Sequence, residues 1–165
     1  MKKYLTILFI TLAGSYTMAQ ESSAHLGLGL GIDYGGFGMR YTFLPTPTIG
    51  LFGSLGYNLA GAGYNVGAQF KFPSTKRAQG YLIGMYGYNG VIVVSNSRSI
   101  FYGPSAGVGL ELRGKNKEDN FWNFELLVPF RDAAFQKQID AWKSLGVSVS
   151  EPLPIAFSIG YHFNL

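Results

Sequence analysis

The chain has 165 residues, with 13 Lys and Arg against 9 Asp and Glu, and it contains no Cys. Charged residues make up only 13% of the chain, about half the share of roughly 25% that is usual in soluble proteins. The length allows one domain. The low charge argues against disorder and against a solvated globular surface, and the lack of Cys excludes disulfides and thiolate metal sites.

The N-terminus, residues 1–19, has the pattern of a secretory signal peptide. Lys2 and Lys3 precede an apolar run from Tyr4 to Leu12, and small residues occupy positions 17 and 19, which a signal peptidase reads. The run is too short to span a bilayer, so an uncleaved anchor is the less favoured alternative. We expect cleavage after Ala19 and a mature domain of residues 20–165. Without the two lysines, 11 basic residues face 9 acidic ones, which removes the main argument for nucleic-acid binding.

Apolar side chains alternate with small or polar ones along most of the mature chain. This period of two predicts β-strands, whose side chains point to opposite faces in turn. The predicted strands cover residues 25–34, 37–43, 49–58, 64–72, 81–94, 100–113, 122–130 and 155–165. In the fifth strand Tyr86 and Tyr88 conflict with Ile83 and Met85, and a β-bulge there would explain the conflict.

These elements predict an all-β fold, a single antiparallel up-and-down transmembrane β-barrel of about eight strands with one short helix before the last strand. Strands of roughly 10 residues are long enough to cross a bilayer at a tilt, and about 8 strands form the smallest transmembrane barrel. No helical pattern interrupts the first seven strands, which excludes a parallel α/β sheet.

The chemistry of the two strand faces favours this barrel over a soluble secreted β protein, such as a sandwich or a lipocalin-like barrel. The non-apolar face consists mainly of Gly, Ser, Ala and Asn, which would solvate an exterior poorly but would fit a narrow lumen. The apolar face carries aromatic residues near the strand ends, as in the girdles of membrane barrels. These aromatic residues are Tyr34, Phe37, Tyr41, Phe43, Tyr57, Tyr64, Phe70, Phe72, Tyr102, Trp122, Phe130 and Phe163.

With a signal peptide, period-two strands and an aromatic last strand, the chain resembles the small outer-membrane β-barrel proteins of Gram-negative bacteria, of the OmpA and OmpX type. The resemblance covers nearly the whole mature chain. It implies an outer-membrane location, contact with outer-membrane lipid and insertion by the barrel-assembly machinery, which in that family recognises a terminal aromatic residue. Here the chain ends on Leu165, with Phe163 two positions earlier on the same face.

Several charged or ionisable residues are predicted to face the lumen in its periplasmic half, if both termini are periplasmic. They are His25, Arg40, Lys71, Glu111, Arg113, Glu125 and His162. Asp33 is expected alone near the extracellular end. Because buried charges need partners, we expect a salt-bridged plug in which Glu111, Arg113 and Glu125 meet on neighbouring strands. A gated pore or a proton path is the alternative.

The connection over residues 131–154 is the one long loop, and the other outward loops look very short. Asp132 can cap a helix in which Phe135, Ile139 and Trp142 form one apolar stripe, and Gly146 ends the pattern. We expect this helix to pack on the barrel rim or on its own loop. A membrane-surface or partner-binding element is the alternative.

The favoured function is that of a monomeric outer-membrane barrel with a packed lumen, without catalysis, that serves envelope structure or surface interaction. A lipid-modifying hydrolase would need His25 or His162 near Ser105 or Ser158 and Glu125, and a narrow solute channel would need an open lumen. We expect no metal, since the two His lack a third ligand at suitable spacing. We expect no cofactor, since no helix follows the Gly-x-Gly repeats to complete a nucleotide site.

Overall fold

The computed structural model describes residues 23–58, 60–94, 97–114, 120–147 and 153–165. The signal peptide predicted for residues 1–19 lies outside them. Eight strands, one 3-10 turn and one α-helix follow each other along the chain. They are β1 (Ser23–Gly31), the turn Ile32–Tyr34, β2 (Gly36–Thr46), β3 (Ile49–Asn58), β4 (Gly61–Lys71), β5 (Ala78–Val94), β6 (Ser97–Arg113), β7 (Phe121–Pro129), α1 (Ala133–Ser144) and β8 (Ala156–Asn164).

The strands form a closed barrel in which each pairs antiparallel with the next and β8 pairs with β1. At the closing seam Leu28 lies opposite Tyr161 and Leu30 opposite Ile159. Because the barrel is closed, each of the eight strands has a partner on both sides and the sheet has no free edge. The predicted eight-stranded up-and-down barrel, with one helix before the last strand, is confirmed.

The outer wall of the barrel is apolar and exposed. Phe37, Leu55 and Val66 are 69%, 59% and 59% exposed, and similar side chains stand outward on every strand. The period-two assignment of the faces therefore agrees with the structure on most strands. Among the described residues, more polar or charged side chains are buried than hydrophobic ones. An apolar patch of Phe52, Tyr81, Ile83, Met85 and Leu127 nevertheless fills part of the lumen.

The segment after β1 departs from the sequence prediction. The strand ends at Gly31, and residues Ile32–Tyr34 fold inward as the 3-10 turn, so that Asp33 and Tyr34 are fully buried. The predicted continuation of the strand, with Tyr34 in the outer aromatic girdle and Asp33 alone near the extracellular end, was wrong. Gly35 permits the inward path because its φ of 72° lies in the left-handed region that favours glycine.

The hairpin of β5 and β6 extends beyond its neighbours at the end of the barrel opposite the termini. Each strand has 17 residues, and the pairing shifts register between Tyr88 and Gly90, where the sequence predicted a bulge. This long hairpin corrects the expectation that all other outward loops are short. Helix α1 covers it. Among the described residues, no helix is long and apolar enough to cross a bilayer.

Candidate functional site

Arg40, near the middle of β2, is the centre of a buried charge cluster in the lumen. Its Nη1 atom lies 2.7 Å from Asp33 Oδ2 and 2.8 Å from Glu125 Oε1. All three side chains are at most 1% exposed. The guanidinium also packs over the rings of Tyr34 and Phe52, at 4.9 and 5.1 Å from their centroids. One guanidinium nitrogen thus joins a carboxylate from the inward turn to one from β7.

Hydroxyl and amide groups donate hydrogen bonds to Glu125, the second carboxylate that contacts Arg40. Tyr81 Oη donates to Glu125 Oε1 at 2.5 Å, and Asn123 Nδ2 donates to the same oxygen at 3.2 Å. Such charge-assisted hydrogen bonds are stronger than neutral ones. We call this group, formed by Asp33, Tyr34, Arg40, Tyr81, Asn123, Glu125 and His162, the lumen cluster.

Tyr34 and Arg40 both approach Nε2 of His162. The Tyr34 hydroxyl donates its single proton to Asn123 Oδ1 at 2.8 Å and lies 2.7 Å from His162 Nε2. A hydrogen bond from Nε2 to this oxygen requires a proton on Nε2, whereas a hydrogen bond from Arg40 Nη2, 3.3 Å from the same nitrogen, requires Nε2 without its proton. The tautomer of the imidazole therefore selects between Tyr34 and Arg40 as its partner.

Hydrogen bonds to the backbone hold the inward turn in place. Ser54 Oγ donates to the Asp33 carbonyl at 2.5 Å, and Asn65 Nδ2 donates to the Ile32 carbonyl at 2.8 Å. Glycines supply the space, because a Cβ atom added to Gly29 or Gly160 would overlap the Tyr34 side chain. Gly29 on the inner face of β1 and Gly160 on that of β8 therefore leave room for one large inserted ring.

A second buried ion pair lies nearer to the end of the barrel that carries both termini. Lys71 Nζ is 2.5 Å from Glu111 Oε1, and the two side chains are 2% and 1% exposed. The ammonium also lies 5.4 Å from the centroid of the Phe121 ring. Phe121 stacks on His162 at 4.8 Å and meets His25 edge to face at 5.1 Å. This ring therefore connects the ion pair to both histidines.

Arg113 does not join the other predicted lumen charges. It is exposed at the barrel rim, where its Nη2 donates to Gln79 Oε1 at 3.0 Å. The expected grouping of Glu111, Arg113 and Glu125 was wrong because of the strand register. Glu125 lies opposite Gly109, whereas Arg113 lies opposite Phe121, a separation of four residues or about 13 Å along the strand. Glu125 pairs across the lumen with Arg40 instead.

The three apolar residues of the predicted surface helix fall on one side of α1. Phe135 and Ile139 are 2% and 1% exposed and pack with Ile92 and Val94 of the β5–β6 hairpin, with Trp142 partly buried beside them. Asp132 Oδ1 accepts a hydrogen bond from the Phe135 backbone N–H at 2.9 Å, which is the expected N-cap. The helix thus covers a strand extension, and this explains why its stripe is buried.

Chemically, the lumen cluster pairs charges and fills space in the barrel. Neither Ser105 nor Ser158 is hydrogen-bonded to a histidine in the described part of the chain, and both are at most 2% exposed. The described residues also contain no group of three or more His, Cys, Asp or Glu that could hold a metal ion.

Sequence reasoning missed Asp33, Tyr34, Tyr81 and Asn123 as members of the cluster. One signal could have found Tyr34. Glycines recur on the inner faces of β1, β2 and β3, and β8 adds Gly160. So much empty space in a narrow lumen requires a large side chain to fill it. The Gly35-Gly36 pair directly after the tyrosine marks where the chain can turn inward.

Comparisons with known proteins bear on the fold. Searches with protein-family models and among curated proteins found no match to this chain. Among solved structures, the chain is similar to the N-terminal β-barrel domain of OprF from Pseudomonas aeruginosa, with a TM-score of 0.51 and 13% sequence identity. The likeness covers 87% of this chain and 97% of that domain. At this identity it shows a shared fold and no more.

Proposed function

We propose that the chain is an integral outer-membrane β-barrel protein that works without catalysis, as a structural or surface-interaction element of the envelope. The observation that carries the proposal is the inverted distribution of side chains. The wall exposes large apolar residues all round, and the interior holds ion pairs and amides. Water would be a poor solvent for such a wall, whereas hydrocarbon suits it.

The signal peptide pattern and the OprF-like fold support the outer membrane as the location. A secreted barrel with an apolar exterior has few destinations other than a bilayer. Its closed sheet also suits a bilayer, because a bilayer-spanning β structure must be closed to satisfy its backbone hydrogen bonds. Outer-membrane lipid and the barrel-assembly machinery are then its expected partners, and a monomer is the expected state.

The packing of the lumen supports a plugged barrel rather than a solute channel. Tyr34, Arg40 and His162, all at most 1% exposed, meet near the middle of the lumen and are bonded to each other or to partners across it. About 8 strands leave room only for side chains. The burial of both serines and of Glu125 likewise argues against a lipid hydrolase, since a nucleophile must be reachable by its substrate.

Migration on a gel tests the barrel and its location together. We expect the protein in membrane extracts to move faster without boiling than after boiling, because a closed barrel stays compact in detergent. We also expect it in the outer-membrane fraction, and a chain that starts at residue 20 should stay in the cytoplasm. Identical migration with and without boiling, or recovery in the soluble periplasm, would contradict the proposal.

Conductance tests the plug. Purified folded protein in a planar bilayer should show no steady ion current, because the lumen cluster and the Lys71–Glu111 pair both obstruct the path. A steady current in the unaltered protein would favour the channel alternative.

Removing helix α1 tests the surface-interaction part of the proposal. Deleting residues 135–143 should leave the barrel heat-modifiable, because a loop change is tolerated far better than a change in the wall. Any binding or growth phenotype of the protein should disappear with the helix, since loops on a rigid scaffold usually carry function.

The matched control keeps the helix and changes only its outward face. Lys137→Ser with Asp140→Ser leaves Phe135 and Ile139 packed on the hairpin, so a phenotype lost in this variant requires the exposed charges themselves. Loss of the barrel on deletion of residues 135–143 would mean that α1 is needed to close the seam, and would contradict a surface role.

A further inference from the structure

The end of the barrel that carries both termini opens into a cavity of about 690 Å³. We call it the vestibule, and its walls include Ser23, His25, Lys71, Gln79, Arg113 and Phe121. Its volume lies in the range of small-molecule sites, roughly 300–1,000 Å³. The lumen cluster fills the barrel beyond it, so whatever enters the vestibule must leave by the same opening.

The described wall of the vestibule carries cationic side chains. Among the described residues that line it, Lys71 and Arg113 are cations and none is Asp or Glu. The backbone N–H of Arg113 donates to the Arg77 carbonyl at 3.0 Å, which brings a further arginine to the same rim. Glu111, the partner of Lys71, does not line the cavity. An anion in the vestibule would therefore be attracted to the Arg113 guanidinium and to the Lys71 ammonium with no carboxylate in the described wall to oppose it.

Both cations have N–H donors beyond those used in their contacts with the described residues. The Lys71 ammonium has three N–H donors, and Glu111 is its one hydrogen-bonding or ion-pair partner among the residues described. Arg113 uses Nη2 for Gln79, which leaves other N–H groups of a guanidinium that suits phosphate geometry. Ser23, Thr48 and Thr75 add hydroxyl groups to the lining.

We propose that the vestibule binds a small phosphate-bearing compound, which Lys71 and Arg113 hold through the phosphate oxygens. A phosphomonoester has enough acceptor oxygens to engage two cations and several hydroxyls at once. Phe121, Leu44 and Pro73 line the same cavity and accommodate a short carbon skeleton. This proposal goes beyond the plugged-barrel function and requires only the barrel fold.

Calorimetric titration of the full folded chain in uncharged detergent tests the site, with inorganic phosphate and glycerol 3-phosphate as probes. We expect saturable binding of both, tighter for glycerol 3-phosphate because of the apolar wall. Arg113→Gln should weaken binding about tenfold or more, since it removes a charge-assisted hydrogen bond. The control Lys137→Gln removes one exposed positive charge from α1, at the opposite end, and should leave the affinity unchanged.

A second variant tests Lys71 without leaving a buried charge alone. Lys71→Met combined with Glu111→Gln removes both members of the ion pair, and we expect it to fold and to lose binding. Absence of saturable binding of both soluble probes to the unaltered protein, together with no Arg113-dependent retention of lipid in the experiment below, would overturn the proposal. Equal weakening by Arg113→Gln and Lys137→Gln would also overturn it, because it would mean that the probes respond only to net charge.

A lipid arm of the experiment identifies the source of the phosphate. The protein is reconstituted with phosphatidylglycerol, extracted into detergent, and assayed for lipid that remains bound. Retention that is lost in Arg113→Gln, without binding of the soluble probes, would identify a lipid headgroup as the ligand. Retention that is equal in Arg113→Gln and Lys137→Gln, again without binding of the soluble probes, would overturn the site.

Discussion

Replacing Arg40 by Met should lower the free energy of unfolding by about 3–5 kcal/mol, because it leaves buried charges without their partner. Asp33 and Glu125 both depend on this guanidinium, and neither side chain is exposed to water. Urea titration of the protein folded in lipid vesicles, followed by tryptophan fluorescence, measures the change. Conductance of the same variant in planar bilayers shows whether the loosened cluster admits ions.

Two further variants separate loss of pairing from loss of an arginine. Arg113→Met removes an exposed guanidinium at the rim and should cost at most about 1 kcal/mol. Adding Asp33→Asn and Glu125→Gln to Arg40→Met should recover much of the lost stability, since removing all members of a buried ionic group is far less costly than removing one. Equal, small losses for Arg40→Met and Arg113→Met would show that water reaches the lumen cluster.

Replacing Val108 by Arg should cost about 2–4 kcal/mol, because it puts a charge on the lipid-facing wall near the bilayer midplane. Val108 is 52% exposed and lies between Leu82 and Leu126 on the neighbouring strands. The same urea titration in vesicles measures this effect.

Leu112→Arg is the matched control, on the same strand and the same face but close to the strand end. Near the membrane interface the cost should fall to about 0–1 kcal/mol. If both substitutions were harmless, the outer wall would face water, as in a soluble barrel, and the proposed membrane location would be wrong.

The strands could be predicted because the wall imposes a strict local rule on the sequence. In β8, Phe157, Ile159 and Tyr161 alternate with Ser158 and Gly160, and lipid on one side with a narrow lumen on the other permits little else. The same rule misled at Ile32–Tyr34. A turn folded into the lumen and a continuing strand show the same short alternation, and only the contacts of the tyrosine distinguish them.

The ion pairs could not be predicted because they depend on register and on contacts across the lumen. Arg40 and Glu125 lie on β2 and β7, which are not neighbours in the sheet. Strand order therefore gives no reason to pair them. Register likewise decides that Arg113 stands at the rim, although it is only two residues from the buried Glu111. Neither the Arg40–Glu125 pair nor the separation of Arg113 from Glu125 can be predicted from the residues of one strand alone.

The inward turn also has a consequence for the order in which the barrel assembles. Tyr34 is bonded to Asn123 and His162, which follow it by 89 and 128 residues. Contacts of such long sequence separation form late, since the chain must first close large loops. Until β7 and β8 arrive, the inserted ring and Arg40 lack most of their partners. Insertion of the turn into the lumen and pairing of β8 with β1 should thus be one cooperative step. A chain that has not yet added β7 should remain an open sheet without a plug.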